Sequence, residues 1–191
     1  MKNFKMPIKS NLKSRISTIN NAFAISIIPY VPPQEEVLEE YYNELKIEPK
    51  QCGYCLTKGA KTVDHIFPVV KDGLPFGYLT DINNLIPCCK DCNSKKGGKL
   101  FKDWYKSKEN IKRLKELKLN ETTINERYNI ISDYIKKHEK QYDFEKIIGK
   151  EKWDEFVRRK NKMTELLEDN QKFCDELNEI IWNYIIGSNA N

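Results

Sequence analysis

Cys52-Gly-Tyr-Cys55 and Cys89-Lys-Asp-Cys92 are two C-x2-C pairs, and between and just behind them lie Asp64, His65, Asn84 and Asn93. Thiolates are soft ligands, and a two-residue spacer lets neighbouring sulfurs converge on one tetrahedral zinc. The second set is of another kind. A carboxylate and an amide oxygen are hard donors suited to Mg2+ or Mn2+. Neutral imidazole, with an ordinary pKa of about 6.5, accepts a proton from water at neutral pH. A structural zinc needs none of those four residues, so the pattern predicts water-activating chemistry built beside it.

Two ligand choices stay open at this level. His65 could complete a zinc site with three cysteines, and Cys88 offers a C-x3-C register with Cys92. Four cysteines already satisfy the tetrahedron, and symmetric spacing favours Cys89, which leaves Cys88 as a small buried hydrophobe.

The elements that position these residues are readable from local signals. Residues 61–69 alternate around β-branched side chains and predict a strand; residues 71–83, with Gly73, Pro75 and Gly77, predict a loop. Residues 85–88 predict a second strand, and residues 90–96 a short helix stopped by Gly97-Gly98. Neighbouring strand residues point to opposite sides, so Asp64 and His65 suit different tasks. Asn93 directly follows Cys92, so the structural metal would also place that side chain.

This order of residues resembles the HNH, or ββα-metal, endonucleases. The resemblance rests on Cys52, Cys55, Val63-Asp64-His65-Ile66 with Pro68, Gly73, Asn83-Asn84-Leu85, Cys89, and Cys92-Asn93-Ser-Lys-Lys96-Gly97. It covers under a third of the chain, and its motifs are specific jointly rather than singly. The family implies that His65 is the general base. Asp64 and Asn93 would bind one divalent cation at the scissile phosphate, and Cys52, Cys55, Cys89 and Cys92 a structural zinc. Leu85 marks Asn84, not Asn83, as the family position that holds His65 in orientation. Lys96 would either neutralise a phosphate or simply be solvated. The implied activity is hydrolysis of DNA phosphodiester bonds. Family members serve as restriction enzymes, phage-defence effectors, homing nucleases, toxins and resolvase-like enzymes, and restriction or defence against phage is the first expectation among these settings. A zinc-stabilised nucleic-acid-binding protein without catalysis is the competing expectation, and Asp64, His65 and Asn93 argue against it.

Charge agrees with a polyanionic partner. The 191 residues carry a formal charge of +5. Residues 1–34 contain basic side chains and no acids, residues 51–110 contain ten Lys against six acids, and residues 111–191 balance at sixteen each. Five of the six cysteines cluster at the motif, which favours metal over disulfides and a reducing compartment. The apolar run at residues 22–31 follows too long a basic lead for a signal peptide and contains Pro29, so a cytoplasmic chain with no membrane span is expected.

The expected fold class is α+β. Residues 1–50 would form a basic arm and a helix, residues 51–110 the zinc-stabilised nuclease core, and residues 111–191 a mainly helical region. Residues 1–21 lack a clear period and predict a flexible arm or a loosely docked segment; residues 23–30 predict a strand or packed extended segment; residues 35–46 carry a helical stripe. Ile111, Leu114 and Leu117 mark a helix, and Thr123 with Glu126 predicts a capping box opening the next. A long helix over residues 150–184 carries Trp153, Phe156, Met163, Leu167, Cys174, Leu177, Ile181 and Tyr184 in three- and four-residue steps, with Lys160 and Asn170 in the same series. That stripe serves either packing within the chain, with Cys174 in the core, or pairing with a second copy or another protein. Trp104 and Tyr105 serve core packing or base stacking, and His138 a surface site at a helix end.

Overall fold

The computed structural model describes residues 11–187, with side chains to residue 185. The described chain divides into two units, residues 25–143 and residues 11–24 with 144–187. Fold class is α+β, as expected: helices around very small sheets.

In the larger unit, α2 (Glu35–Leu45) places Glu35 and Glu36 in its first turn, where acids complement the helix dipole, and buries Tyr41 and Leu45. Strand β1 (Thr62–His65) pairs antiparallel with β4 (Leu85–Cys88), with Asp64 opposite Ile86 and His65 opposite Leu85. Between them, the segment expected to be a loop contains a hairpin, β2 (Val70–Lys71) with β3 (Leu74–Pro75). Asp72 and Gly73 turn it with φ of 52° and 70°, the left-handed pair that two-residue hairpin loops require. A 3-10 turn at Ile82–Asn84 is capped by the Asp81 side chain.

Helix α3 (Lys90–Lys96) then packs on β1 and ends at Gly97, φ 51°. Helices α4 (Phe101–Tyr105), α5 (Lys108–Glu116) and α6 (Glu121–His138) complete the unit. Ser107 caps α5. The start of α6 differs from expectation: Asn120 is the cap, its side chain accepting from Thr123 N, because the helix opens two residues before Thr123. Trp104 and Tyr105 belong to the core. That core is continuous from α2 through the cysteines to α6, joining Tyr41, Leu45, Tyr54, Ile86, Phe101, Leu114, Ile124 and Ile131. The segment that carries the four cysteines is thus embedded in a larger core rather than standing in for one.

Arg127 lies within that core at 2% exposure. Its guanidinium donates twice to Gly53 O, at 3.1 and 2.6 Å, and once to Leu45 O at 2.5 Å. It therefore ties α6 to the end of α2 and to the first cysteine turn. Arg127→Met keeps the stem but strands two buried carbonyls, and a loss of about 2–4 kcal/mol is expected in denaturant melts of the zinc-loaded chain. An unchanged midpoint would mean that water reaches both carbonyls.

In the smaller unit, the segment expected as a flexible arm or loosely docked stretch is a helix, α1 (Lys13–Ile25), from residue 13 onward; residues 1–10 lie outside the described residues. The segment expected at residues 23–30 as a strand or packed extended stretch is partly the end of this helix, and beyond it Tyr30 forms a parallel bridge to Thr80. Leu12 N donates to Gln171, Asn20 meets Thr164, and Phe23 stacks on Phe156 at 4.7 Å, so α1 runs antiparallel to α8 (Lys150–Gly187). A short α7 (Phe144–Ile148) precedes α8, with Gly149 turning between them at φ 86°. Here the stripe expected on the long helix is half used. Phe156 is buried, Trp153, Met163 and Leu167 are partly covered, but every described side chain from residue 172 is exposed. Cys174, expected in the core, is exposed, on the stretch of α8 beyond Gln171.

Candidate metal centre and active site

The first cysteine pair sits in a tight turn closed by Leu56 N to Cys52 O at 2.9 Å and Cys52 N to Thr57 O at 2.9 Å. The second opens α3: Cys89 is its N-cap, and Cys92 N donates to the Cys89 sulfur at 3.4 Å. Gly53 N bonds Pro87 O at 2.7 Å, which brings the two turns together. The four sulfurs of Cys52, Cys55, Cys89 and Cys92 lie within 4.8 Å of one another.

A zinc–sulfur bond of about 2.3 Å implies a tetrahedral sulfur–sulfur edge of about 3.8 Å. The Cys55 and Cys89 sulfurs are 3.8 Å apart, so the cage fits zinc. Among the described residues it is the one cluster of such ligands. His65 is not part of it, and neither is Cys88, which is buried with its sulfur 3.3 Å from the Thr62 hydroxyl. Four thiolates at this spacing repel one another, and a dication among them offsets that repulsion and favours thiolate at all four positions.

Arg113 was not singled out from sequence. It donates to the Cys92 sulfur at 3.2 Å and to Asp91 at 2.7 Å, and Asn110 holds its guanidinium. Such a donor offsets the negative charge of a thiolate cage and fixes α5 against α3.

Strand β1 carries the second set. His65 is half-buried, with Nε2 2.9 Å from the Thr80 hydroxyl. Burial pushes its pKa below the ordinary imidazole value, against the opposing pull of Asp64, so the ring is neutral at pH 7. Asn84 is buried and fully engaged: Oδ1 accepts from Phe67 N at 2.8 Å, and Nδ2 donates to Phe67 O at 3.1 Å and Leu79 O at 3.0 Å. Its own carbonyl accepts from Ile66 N at 2.8 Å. The asparagine therefore fastens the backbone immediately after His65 to the end of the connecting loop.

Asp64 faces inward, 7% exposed. Its Oδ2 accepts from the Tyr54 hydroxyl at 2.8 Å and lies 3.0 Å from Lys96 Nζ. Lys96 fits neither sequence expectation, phosphate contact or solvated side chain. It is 1% exposed, paired with Asp64 and donating to His65 O at 2.6 Å. One turn earlier on α3, Asn93 Nδ2 points to Val63 O at 3.4 Å. Positions 93 and 96 share a helix face, so α3 lays both side chains along β1. Tyr54, between Cys52 and Cys55, links the cage to Asp64; sequence reasoning missed it because a phenol in a C-x2-C turn reads as packing.

Geometry of this kind is paired with a recognisable segment. Residues 52–99 match the HNH endonuclease family. The match ends just beyond α3 and contains the four cysteines, Asp64, His65, Asn84, Asn93 and Lys96. No curated protein and no solved structure matched the chain. The HNH region implies a nuclease, a hydrolase acting on nucleic acid, with metal-binding residues. Among the described residues no helix is long and apolar enough to cross a membrane.

Proposed function

We propose that this chain is a metal-dependent DNA endonuclease in which His65 takes the proton of the attacking water. The observation that carries it is the placement of the His65 imidazole on β1 beside Asp64 and α3, with Asn84 fastening the backbone that follows it, inside the segment that matches the HNH family. Asp64 and Asn93 supply a carboxylate and an amide oxygen, donors whose hardness suits Mg2+ or Mn2+. Both described contacts to Asp64 fall on Oδ2, and the Asn93 contact is through Nδ2, so each residue keeps an oxygen as donor. A divalent cation held by Asp64 and Asn93 would supply charge to offset that of the scissile phosphate and of the departing oxygen. The chain's own residues do the rest. Asn84 fixes the loop behind His65, Lys96 holds Asp64 and the His65 carbonyl in one frame, and the sulfur cage holds α3 against the sheet.

Nine of the ten Lys in residues 51–110 are exposed, Lys96 being the exception, which supports a polyanionic partner. Restriction or phage defence is the setting proposed among those that family members serve. The test uses supercoiled, linear, single-stranded and modified DNA, with RNA beside them, each with Mg2+ or Mn2+; cutting of RNA alone would overturn DNA as substrate.

The two metals should separate by mutation. Asp64→Asn and Asn93→Ala are expected to keep one zinc per chain by elemental analysis and to lose Mg2+-dependent cleavage by about 100-fold or more. Loss of zinc in Asp64→Asn would show that the division of ligands is wrong.

A further inference from the structure

The Thr80 hydroxyl is the one side-chain group described at hydrogen-bond distance from the His65 ring, 2.9 Å from Nε2. Thr80 is outside the regular elements, yet its backbone is held on both sides. Val31 N donates to Thr80 O at 2.9 Å, and Thr80 N donates to Pro29 O at 3.3 Å, the parallel bridge centred on Tyr30. Its neighbours are fixed too: Leu79 O accepts from Asn84 Nδ2 at 3.0 Å, and Asp81 caps the turn that ends in Asn84. A loop position secured this thoroughly can hold a hydroxyl in place against a partner.

Two proton arrangements satisfy that 2.9 Å contact. Either Nε2–H donates to the Thr80 oxygen and Nδ1 keeps its lone pair, or the hydroxyl donates to Nε2 and Nδ1 carries the hydrogen. In the second arrangement neither nitrogen offers a free lone pair to water, since Nε2 is already accepting and Nδ1 is protonated. A neutral histidine that removes a proton from water needs the first arrangement, because the bond made by one ring nitrogen sets the state of the other.

We propose that Thr80 is the positioning residue of the catalytic histidine: its hydroxyl accepts from Nε2–H, fixes ring orientation and tautomer, and leaves Nδ1 as the atom that takes the water proton. The segment at residues 29–31 takes part in this by clamping Thr80. The proposal rests on His65 being the base.

The experiment is imidazole 15N NMR of the full zinc-loaded chain at a pH where imidazole is neutral, together with plasmid cleavage in Mg2+. The chain has two histidines, so a His138→Gln variant assigns the signals. The expected result is a protonated Nε2 and an unprotonated Nδ1 in wild-type His65. Thr80→Val, which keeps the shape and removes the oxygen, should mix the tautomers and lower kcat by about 10-fold or more with KM nearly unchanged. Thr80→Ser should restore both. A wild-type His65 protonated at Nδ1 would overturn the proposal, and this holds even if the valine variant fails to fold. Full cleavage by folded Thr80→Val, with His65→Ala inactive, would overturn Thr80 alone; full cleavage by His65→Ala would overturn the base assignment beneath it.

Discussion

Replacing His65 with alanine is expected to remove nearly all DNA cleavage while leaving zinc content and thermal stability close to wild type. The expected loss is about 10²–10⁴-fold, the usual contribution of a positioned general base. The side chain is half-buried and makes one described side-chain hydrogen bond, to Thr80, so its removal costs little packing. Its backbone is held independently, by pairing with Leu85 and by Lys96 on the carbonyl. The pH dependence follows in sign. Burial lowers the His65 pKa, so the base is neutral throughout the neutral range. Cleavage should rise with pH through a value below the ordinary imidazole figure and then level, and it should be lost as the ring is protonated in acid. A unfolded His65→Ala would make the residue structural, and a folded, fully active one would end its role as base.

Loss of a single zinc sulfur should do the opposite, leaving the chemistry-bearing side chains present and removing the frame. Cys55→Ser or Cys92→Ser is expected to release the metal and destabilise the chain heavily. Structural zinc sites are worth on the order of 10 kcal/mol, comparable to the whole stability of a small domain. The cage is continuous with the core of α2 and α4–α6, so melting should spread through residues 25–143 rather than stop at the motif. Circular dichroism with elemental analysis reads both. Retention of one zinc by Cys92→Ser would mean that another residue closes the tetrahedron.

Much of the site was legible in the sequence because its chemistry fixes residue types at short spacings. The cysteine pairs, Asp64-His65, Asn84-Leu85 and the 90–96 helix all appear where local signals put them. What escaped was set by tertiary contact. Lys96 looks like any helical lysine until α3 lies on β1. Thr80 and Tyr54 carry no spacing signal towards His65 or Asp64. Helix α1 lacks a strong stripe of its own and is stabilised by packing along α8, as short helices generally need. Two misses did leave marks. Asp72-Gly73 is a hairpin turn signal, obscured because the flanking strands are two residues each. On α6 the buried positions run Ile124, Arg127, Ile131 and Tyr134, so a charged residue on the inward face was readable as a buried ion with dedicated partners.

The direct measurement is cleavage of supercoiled plasmid by the purified zinc-loaded chain, with and without added Mg2+ or Mn2+, following relaxed and linear products alongside zinc content. Cleavage that requires the added cation, at constant zinc, is the predicted result. DNA binding with full zinc and no cutting under either cation would contradict it and leave a zinc-stabilised nucleic-acid-binding protein in its place.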